Sequence, residues 1–349
     1  EINMVAGVAI DRGETPGAYM LTLEIVNLSA IKDGNGEESL LITAEGPTLF
    51  EAIRNAKKKL YNKLYFGSMK TMVISREIAR DDGVLSILDG FMRDIEPRET
   101  TVLVISQEDS ARALLSAAGL DKSNVSYEIA QIIEEDHKVD STSQKVQLYQ
   151  AYNMIRDKGT ELVLPAFHLV ENTGKDVVEI DGLAIFRRDR LVGFMSPEDA
   201  RYFLMIINEK VGGALSFPYA ENGSERISAE IFACESKQNI QYTAQALTIG
   251  IAVDIDLGII EIPGVVSPDT QMLAQIRSQA EAHIKNRIAE IIQRAQESPG
   301  FDCFGFGNKL YMDHCGLWAS LEDQWETLFQ EAAVEIKVTS NITNTGLIS

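Results

Sequence analysis

Lys70-Thr71-Met72-Val73-Ile74-Ser75 and, after a helical stretch, Thr100-Thr101-Val102-Leu103-Val104-Ile105-Ser106 decide the fold class. Each is a short apolar run that reads as a strand. Between them Ile78–Arg93 reads as a helix, interrupted near Asp81-Asp82-Gly83, and a further helix follows across Ser110–Ala118. Upstream, Val5–Ile10 and Tyr19–Leu28 read as strands around the turn Asp11-Arg12-Gly13-Glu14-Thr15-Pro16-Gly17, and Ser39–Glu45 as a third. Thr48 is placed to cap a helix reaching about Tyr65. Strands first and strand–helix alternation afterwards give an α/β layer on a mixed sheet.

Two further sections follow without a low-complexity linker or an internal repeat. Residues 120–213 open with helices at Tyr127–Lys138 and Lys145–Asp157, separated by the loop Asp140-Ser141-Thr142-Ser143. Strands come next at Leu162–Val170, Val177–Phe186 and Arg190–Met195, the last two joined by the hairpin turn Arg187-Arg188-Asp189. Pro165 inside its run marks an edge position or a bulge. Ser196-Pro197-Glu198-Asp199 then starts a helix, with serine as cap and proline in the first turn. In residues 214–349, Ser228–Glu235, Gln241–Asp256 and Gly258–Ile262 read as an antiparallel sheet. A long helix spans Asp269–Glu297, where Leu273, Ile276, Ala280, Ile284, Ile288, Ile291 and Ala295 recur at helical spacing as one stripe for that sheet. Glu322–Phe329 is a short helix and Ala333–Thr339 a final strand. The expected fold is α/β (mixed α+β) in three domains, 1–119, 120–213 and 214–349, each a mixed or antiparallel sheet packed with helices; the length of 349 residues suits two or three such cores.

The charge argues about partners. With 52 acidic against 32 basic residues the net charge is −20, which repels a phosphate backbone and an anionic lipid surface. Nucleic acid is not an expected partner. Lys57-Lys58-Lys59 is the wet face of a helix whose other face carries Phe50, Ile53, Leu60 and Leu64. No run approaches the roughly 20 apolar residues that cross a bilayer. Glu1 leads at once into a strand with no initiator methionine, as expected of a trimmed chain, so the absence of a targeting signal does not argue for the cytoplasm.

Catalysis needs convergent groups, and the candidates are few. His137, His168, His283 and His314 are scattered singly, and the three cysteines Cys234, Cys303 and Cys315 have no framework spacing. Cys303 with His314-Cys315 lacks the second close pair of a structural zinc site. Glu134-Glu135-Asp136 beside His137 reads as a solvated helix face. Phe304-Gly305-Phe306-Gly307-Asn308-Lys309 lacks the third glycine of a dinucleotide fingerprint and the Gly-Lys-Ser/Thr end of a phosphate loop; its aromatic–glycine alternation fits a tight turn under bulky rings. No catalytic residue, metal ligand or cofactor is called for.

Three passages, one per section, resemble the C-subunit lipoproteins of bacterial spore germinant receptors, the Ger(x)C family. They are Phe66-Gly67-Ser68-Met69-Lys70 leading to Val73–Ala79 and Arg93-Asp94-Ile95-Glu96-Pro97-Arg98; Asp181-Gly182-Leu183-Ala184-Ile185-Phe186 with Asp189–Phe194; and Asp302–Gly307 with Trp318, Asp323-Gln324-Trp325 and the ending Val338–Gly346. Val5–Asp11 is similar to the segment that follows the lipid-bearing cysteine in that family. The resemblance implies a three-domain, non-enzymatic lipoprotein, held by an N-terminal lipid on the outer face of the spore inner membrane. Its partners there are two integral-membrane receptor subunits, of A and B type. The alternative is a solute-binding receptor domain that captures a small nutrient. The family motifs read as structural or partner-contact residues. Gly182, Gly193, Gly305 and Gly307 allow turns or close backbone approach. Trp318 and Trp325 are core anchors or interface hot spots. Arg93, Asp94 and Arg98 form an ion-pair cluster or a partner contact. Asp181 belongs to the same set through its motif.

Overall fold

Strands buried on both faces need apolar side chains at every position, and the first half of the chain supplies them. The computed structural model describes residues 2–28, 39–93, 98–119, 124–219, 225–264 and 268–344. They fall into two compact units: Glu1–Glu134 with Lys145–Arg156 and Leu162–Met195, and Glu135–Gln144 with Asp157–Glu161 and Ser196–Ser349. Residues 120–213 are therefore shared between the two.

The first unit contains, in order, β1 (Ile2–Arg12), β2 (Tyr19–Val26), β3 (Ser39–Gly46), α1 (Leu49–Lys57), β4 (Lys63–Tyr65), β5 (Thr71–Ser75), α2 (Arg76–Asp81), α3 (Leu85–Arg93), β6 (Val102–Ser106), α4 (Ala111–Leu115), α5 (Val125–Val139, in this unit as far as Glu134), α6 (Leu148–Arg156), β7 (Val163–Asn172), β8 (Lys175–Arg187) and β9 (Arg190–Met195). Its sheet runs β3-β2-β1-β5-β6-β7-β8-β9, with β4 also on β1. The central pairings β1–β5–β6–β7 are parallel and the outer ones antiparallel. Along β5 and β6, Met72, Ile74, Leu103 and Ile105 face one apolar core and Val73, Val102 and Val104 the other. The first core is covered by α1, α2, α3 and α6, the second by α4 and α5. The result is a mixed sheet between two helical layers.

Two sequence expectations change here. Helix α1, capped as expected by Thr48, which accepts from the Glu51 N–H at 3.2 Å, stops at Lys57 rather than near Tyr65. Leu64, placed by spacing on the helix face, is instead buried in β4, which pairs parallel with Ile2–Met4. Pro165, expected at an edge or a bulge, stands on the interior strand β7 beside a bulge of β8: Pro165 faces Leu183 and Phe167 faces Ile180, so Asp181 and Gly182 together oppose Ala166.

The second unit contains α7 (Pro197–Ile206), β10 (Gly213–Pro218), β11 (Arg226–Thr243), β12 (Ala246–Glu261), α8 (Thr270–Glu297), α9 (Phe306–Asp313), α10 (Cys315–Leu321), α11 (Trp325–Glu331) and β13 (Ala333–Asn344). Its sheet runs β10-β11-β12-β13. Asp269 caps α8 by accepting from the Met272 N–H at 2.7 Å. The stripe Ile276, Ala280, Ile284, Ile288, Ile291 and Ala295 is buried, joined by Ile292. The sheet is not wholly antiparallel, because β13 runs parallel to β12. Nor does a strand continue through Gln241–Asp256. The chain turns at Ala244 and Gln245, both at positive φ (51° and 65°). That hairpin geometry is the one Asn-Gly or Asp-Gly normally announces, so neither residue signalled it.

Candidate functional site

The Asp302–Gly307 passage builds a tightly constrained cluster in the second unit. Asp302 is buried and accepts hydrogen bonds from the N–H groups of Phe304 (3.0 Å) and Gly307 (2.7 Å) and from Trp325 Nε1 (3.2 Å). Burial pushes its carboxyl up to about 6, while the N–H donors pull the other way. Gly305 sits at φ 76°, the left-handed conformation that opens α9 without a side-chain cap. Gly307 faces Trp318 and Trp325, whose ring centroids lie 5.2 Å apart. A Cβ on Gly307 would come within 2.8 Å of both indoles. Phe304 and Phe306 continue the cluster, packing on Phe203 and Phe329. Gly159, φ 66°, closes it by accepting the Asn308 N–H through its carbonyl at 2.7 Å.

The remaining named residues belong to the first unit. Arg93 ends α3 with its side chain largely exposed and paired to Asp89, one turn back, at 2.7 Å. With Leu49, Phe50, Ile53, Gly90 and Phe91 it lines a cleft of about 310 Å³. Arg54 stacks over the exposed Phe50 ring. Asp94 lies outside the described residues. Arg98 accepts the Thr101 N–H and hydroxyl through its carbonyl. Gly182 stands at φ 75° in the bulge of β8. Asp181 accepts the Gln107 amide through its carbonyl at 3.0 Å, and its carboxylate lies 3.8 Å from His168 Nδ1.

A second set of carboxylates escaped the sequence reading. Asp11 accepts the N–H groups of Ala111 (2.6 Å) and Arg112 (2.9 Å), and Glu24 those of Val125 (2.8 Å) and Ser126 (2.9 Å). Each reaches from the sheet to the otherwise unsatisfied first turn of a helix. Asp136, read as part of a solvated face, is buried and accepts from Thr142 N, Thr142 Oγ1 and Ser143 N at 2.7–2.8 Å. Burial pushes the Asp11 and Asp136 carboxyls up against these donors. Asp199, also buried, binds Arg287 and Arg294 of α8, each at 2.8 Å. Beside it Tyr202 meets His283 Nε2 at 3.0 Å. Burial pushes this tyrosine up to about 12 and holds the histidine below its ordinary value.

Chemically these carboxylates are acceptors occupied by backbone and hydroxyl donors or, at Asp199, by two arginines. Cys303 is buried, and that burial pushes its thiol up, while Cys315 is exposed. Among the described residues no three His, Cys, Asp or Glu side chains are placed to share a metal ion, and no helix is long and apolar enough to cross a membrane. One further cleft, of about 410 Å³, has a polar lining that includes Lys70, Thr100, Tyr127, Glu134, Lys145 and Gln147.

Comparison with known proteins accounts for nearly the whole chain. Residues 1–169 match the spore germination protein N-terminal domain, and residues 181–346 the spore germination B3/GerAC-like C-terminal domain. Spore germination protein KC of Bacillus subtilis (strain 168) is 20% identical over 99% of this chain and 90% of its own length. Spore germination protein GerQC of Bacillus cereus is 21% identical over 99% and 93%. The crystal structure of the GerBC protein has the same fold, with a TM-score of 0.64 over 97% of both chains at 17% identity.

Proposed function

Because this chain belongs to the Ger(x)C family of spore germination proteins, we propose that it is a non-enzymatic subunit of a nutrient germinant receptor, acting by binding partners. The observation that carries this is the use made of its buried acids. Asp11, Glu24, Asp136 and Asp302 each hold backbone N–H groups, so these polar groups serve architecture. In this reading the protein is lipid-anchored on the outer face of the spore inner membrane and assembles with two integral-membrane subunits. Arg93, beside the exposed Phe50 and the apolar cleft, is the candidate partner contact. One acyl chain anchors only marginally, and a body of net charge −20 gains nothing from anionic lipid. Lasting retention therefore rests on further acyl chains or on the partners.

The test is co-purification of the lipidated protein with its two candidate membrane subunits from detergent-solubilised spore membranes, beside a version lacking the lipid-bearing cysteine. A stoichiometric complex is expected. Subunits that never associate, even with the anchor intact, overturn the reading. The polar cleft supports a second reading, capture of a small nutrient, since about 410 Å³ lies within the size range of small-molecule sites. Saturable binding of a nutrient by the chain, lost on Lys70→Ala, is the result that favours it.

A further inference from the structure

Strand β13 ends the sheet of the second unit, and among the described residues it pairs only with β12. Its twelve residues, Ala333-Val334-Glu335-Ile336-Lys337-Val338-Thr339-Ser340-Asn341-Ile342-Thr343-Asn344, contain neither proline nor glycine. A long regular edge of this kind leaves a row of N–H and C=O groups ready for another strand. The Ser340 N–H shows which residues face outward, for it donates to the Glu281 carboxylate of α8 at 2.8 Å rather than to a strand. Backbone direction alternates along a strand. The N–H groups of Val334, Ile336 and Val338 thus point away from β12 as well.

The side chains indicate what fits there. Ser340 Oγ also bonds Glu281, so Val334, Ile336 and Val338 share the face that packs on α8, yet all three remain only half-buried. On the opposite face Glu335 and Lys337 are exposed, and neither enters an ion pair among the described residues. We propose that β13 pairs antiparallel with the β13 of a second copy of this chain, about a two-fold axis at Ile336. That register sets Val334 opposite Val338 and Glu335 opposite Lys337, each twice, because a two-fold interface repeats every contact. Ile336 exchanges both backbone hydrogen bonds with its mate. A two-fold axis at Glu335 or at Lys337 sets like charges face to face, which is destabilising. Glu281, by occupying the Ser340 N–H, ends the ladder there. One added strand per copy buries less than the roughly 1,200 Å² of stable interfaces. The dimer is therefore weak and concentration-dependent.

Sedimentation equilibrium of the chain, from micromolar to several hundred micromolar, tests the proposal. A reversible monomer–dimer equilibrium is expected. Glu335→Lys and Lys337→Glu should each weaken it about tenfold or more, since each turns two attractive cross-strand pairs into repulsive ones. An equimolar mixture of the two variants should restore dimers, because every lysine then faces a glutamate; a purely structural role for either residue does not produce that rescue. Unchanged urea midpoints show that both variants are folded. A chain that stays monomeric throughout, or dimers indifferent to both substitutions, overturn the self-pairing. So does an edge that only another protein occupies.

Discussion

Replacing Gly307 with alanine puts the packing around Asp302 to a test of sign. In an ordinary helix this substitution stabilises, by up to about 1 kcal/mol, because glycine loses more backbone freedom on folding. Gly307 is the second residue of α9, and its φ is not in the left-handed region. The new Cβ, however, would stand 2.8 Å from Cη2 and Cζ3 of Trp318 and 2.8 Å from Nε1 of Trp325. Neither indole has room to retreat. Trp318 already meets the backbone at Gly159, where a Cβ would lie 2.8 Å from its Cη2, and Trp325 is held by Asp302 at 3.2 Å. Overpacking of this kind costs about 1–3 kcal/mol, and stretching the indole–carboxylate hydrogen bond adds about 1–3 kcal/mol. Against the helical gain, the net effect is a loss of about 3 kcal/mol. Gly316, the second residue of α10, has open space where its Cβ would go, so Gly316→Ala should be neutral or stabilising. The chain's two tryptophans both lie in this cluster, which lets their fluorescence follow urea unfolding of the second unit directly. If Gly307→Ala is as stable as wild type or more so, the packing argument fails.

Asp302→Asn should cost about 2–4 kcal/mol in the same assay, since an amide offers one acceptor oxygen where the carboxylate uses two for backbone and indole donors. Glu24→Gln should speed hydrogen exchange at the Val125 and Ser126 amides and destabilise by about 1–2 kcal/mol; unchanged exchange there refutes the cap. Gly182→Ala, forced to φ 75°, should cost about 1–2 kcal/mol, measurable as a lowered thermal midpoint. His283 is held neutral in the folded chain by burial and by Arg226 and Arg287, so its folded pKa lies below the unfolded one. As pH falls below about 6.5 the unfolded chain takes the proton first, and stability drops. His283→Gln should flatten that part of the stability–pH curve, and an identical slope in both proteins contradicts the assignment.

What the sequence revealed followed from local chemistry. Thr48 and Ser196 are the helix caps expected of them, because a side-chain oxygen before an amphipathic run has one good use; Ser110 and Asp269 cap their helices in the same way without having been singled out. The α8 stripe was readable because spacing alone selects its buried face. The Phe-Gly alternation is legible as backbone packed under rings, whereas its organiser, Asp302, is the less obvious part. An acid accepting the N–H two residues on is a known turn device, and that was the available signal. Asp11, Glu24 and Asp136 gave no such sign, since two of them cap helices about a hundred residues away, and the third is buried by a loop rather than by its own helix. The Ala244-Gln245 turn was hidden for the opposite reason: the fold imposes a left-handed geometry that these residues do not favour.

The two units are interleaved along the chain. Residues 135–144 and 157–161 belong to the second unit, yet they interrupt the first, whose sheet is complete only after β9. No single cut frees either unit whole. A chimera with a relative joined between β7 and β8 divides one hairpin of one sheet between two parents, and even a junction at Met195–Ser196 leaves ten residues before α6 and five after it facing a foreign second unit. Recombination within such a family is therefore constrained at three stretches together, and compatible exchanges are those in which residues 135–144, 157–161 and everything after Met195 travel as one.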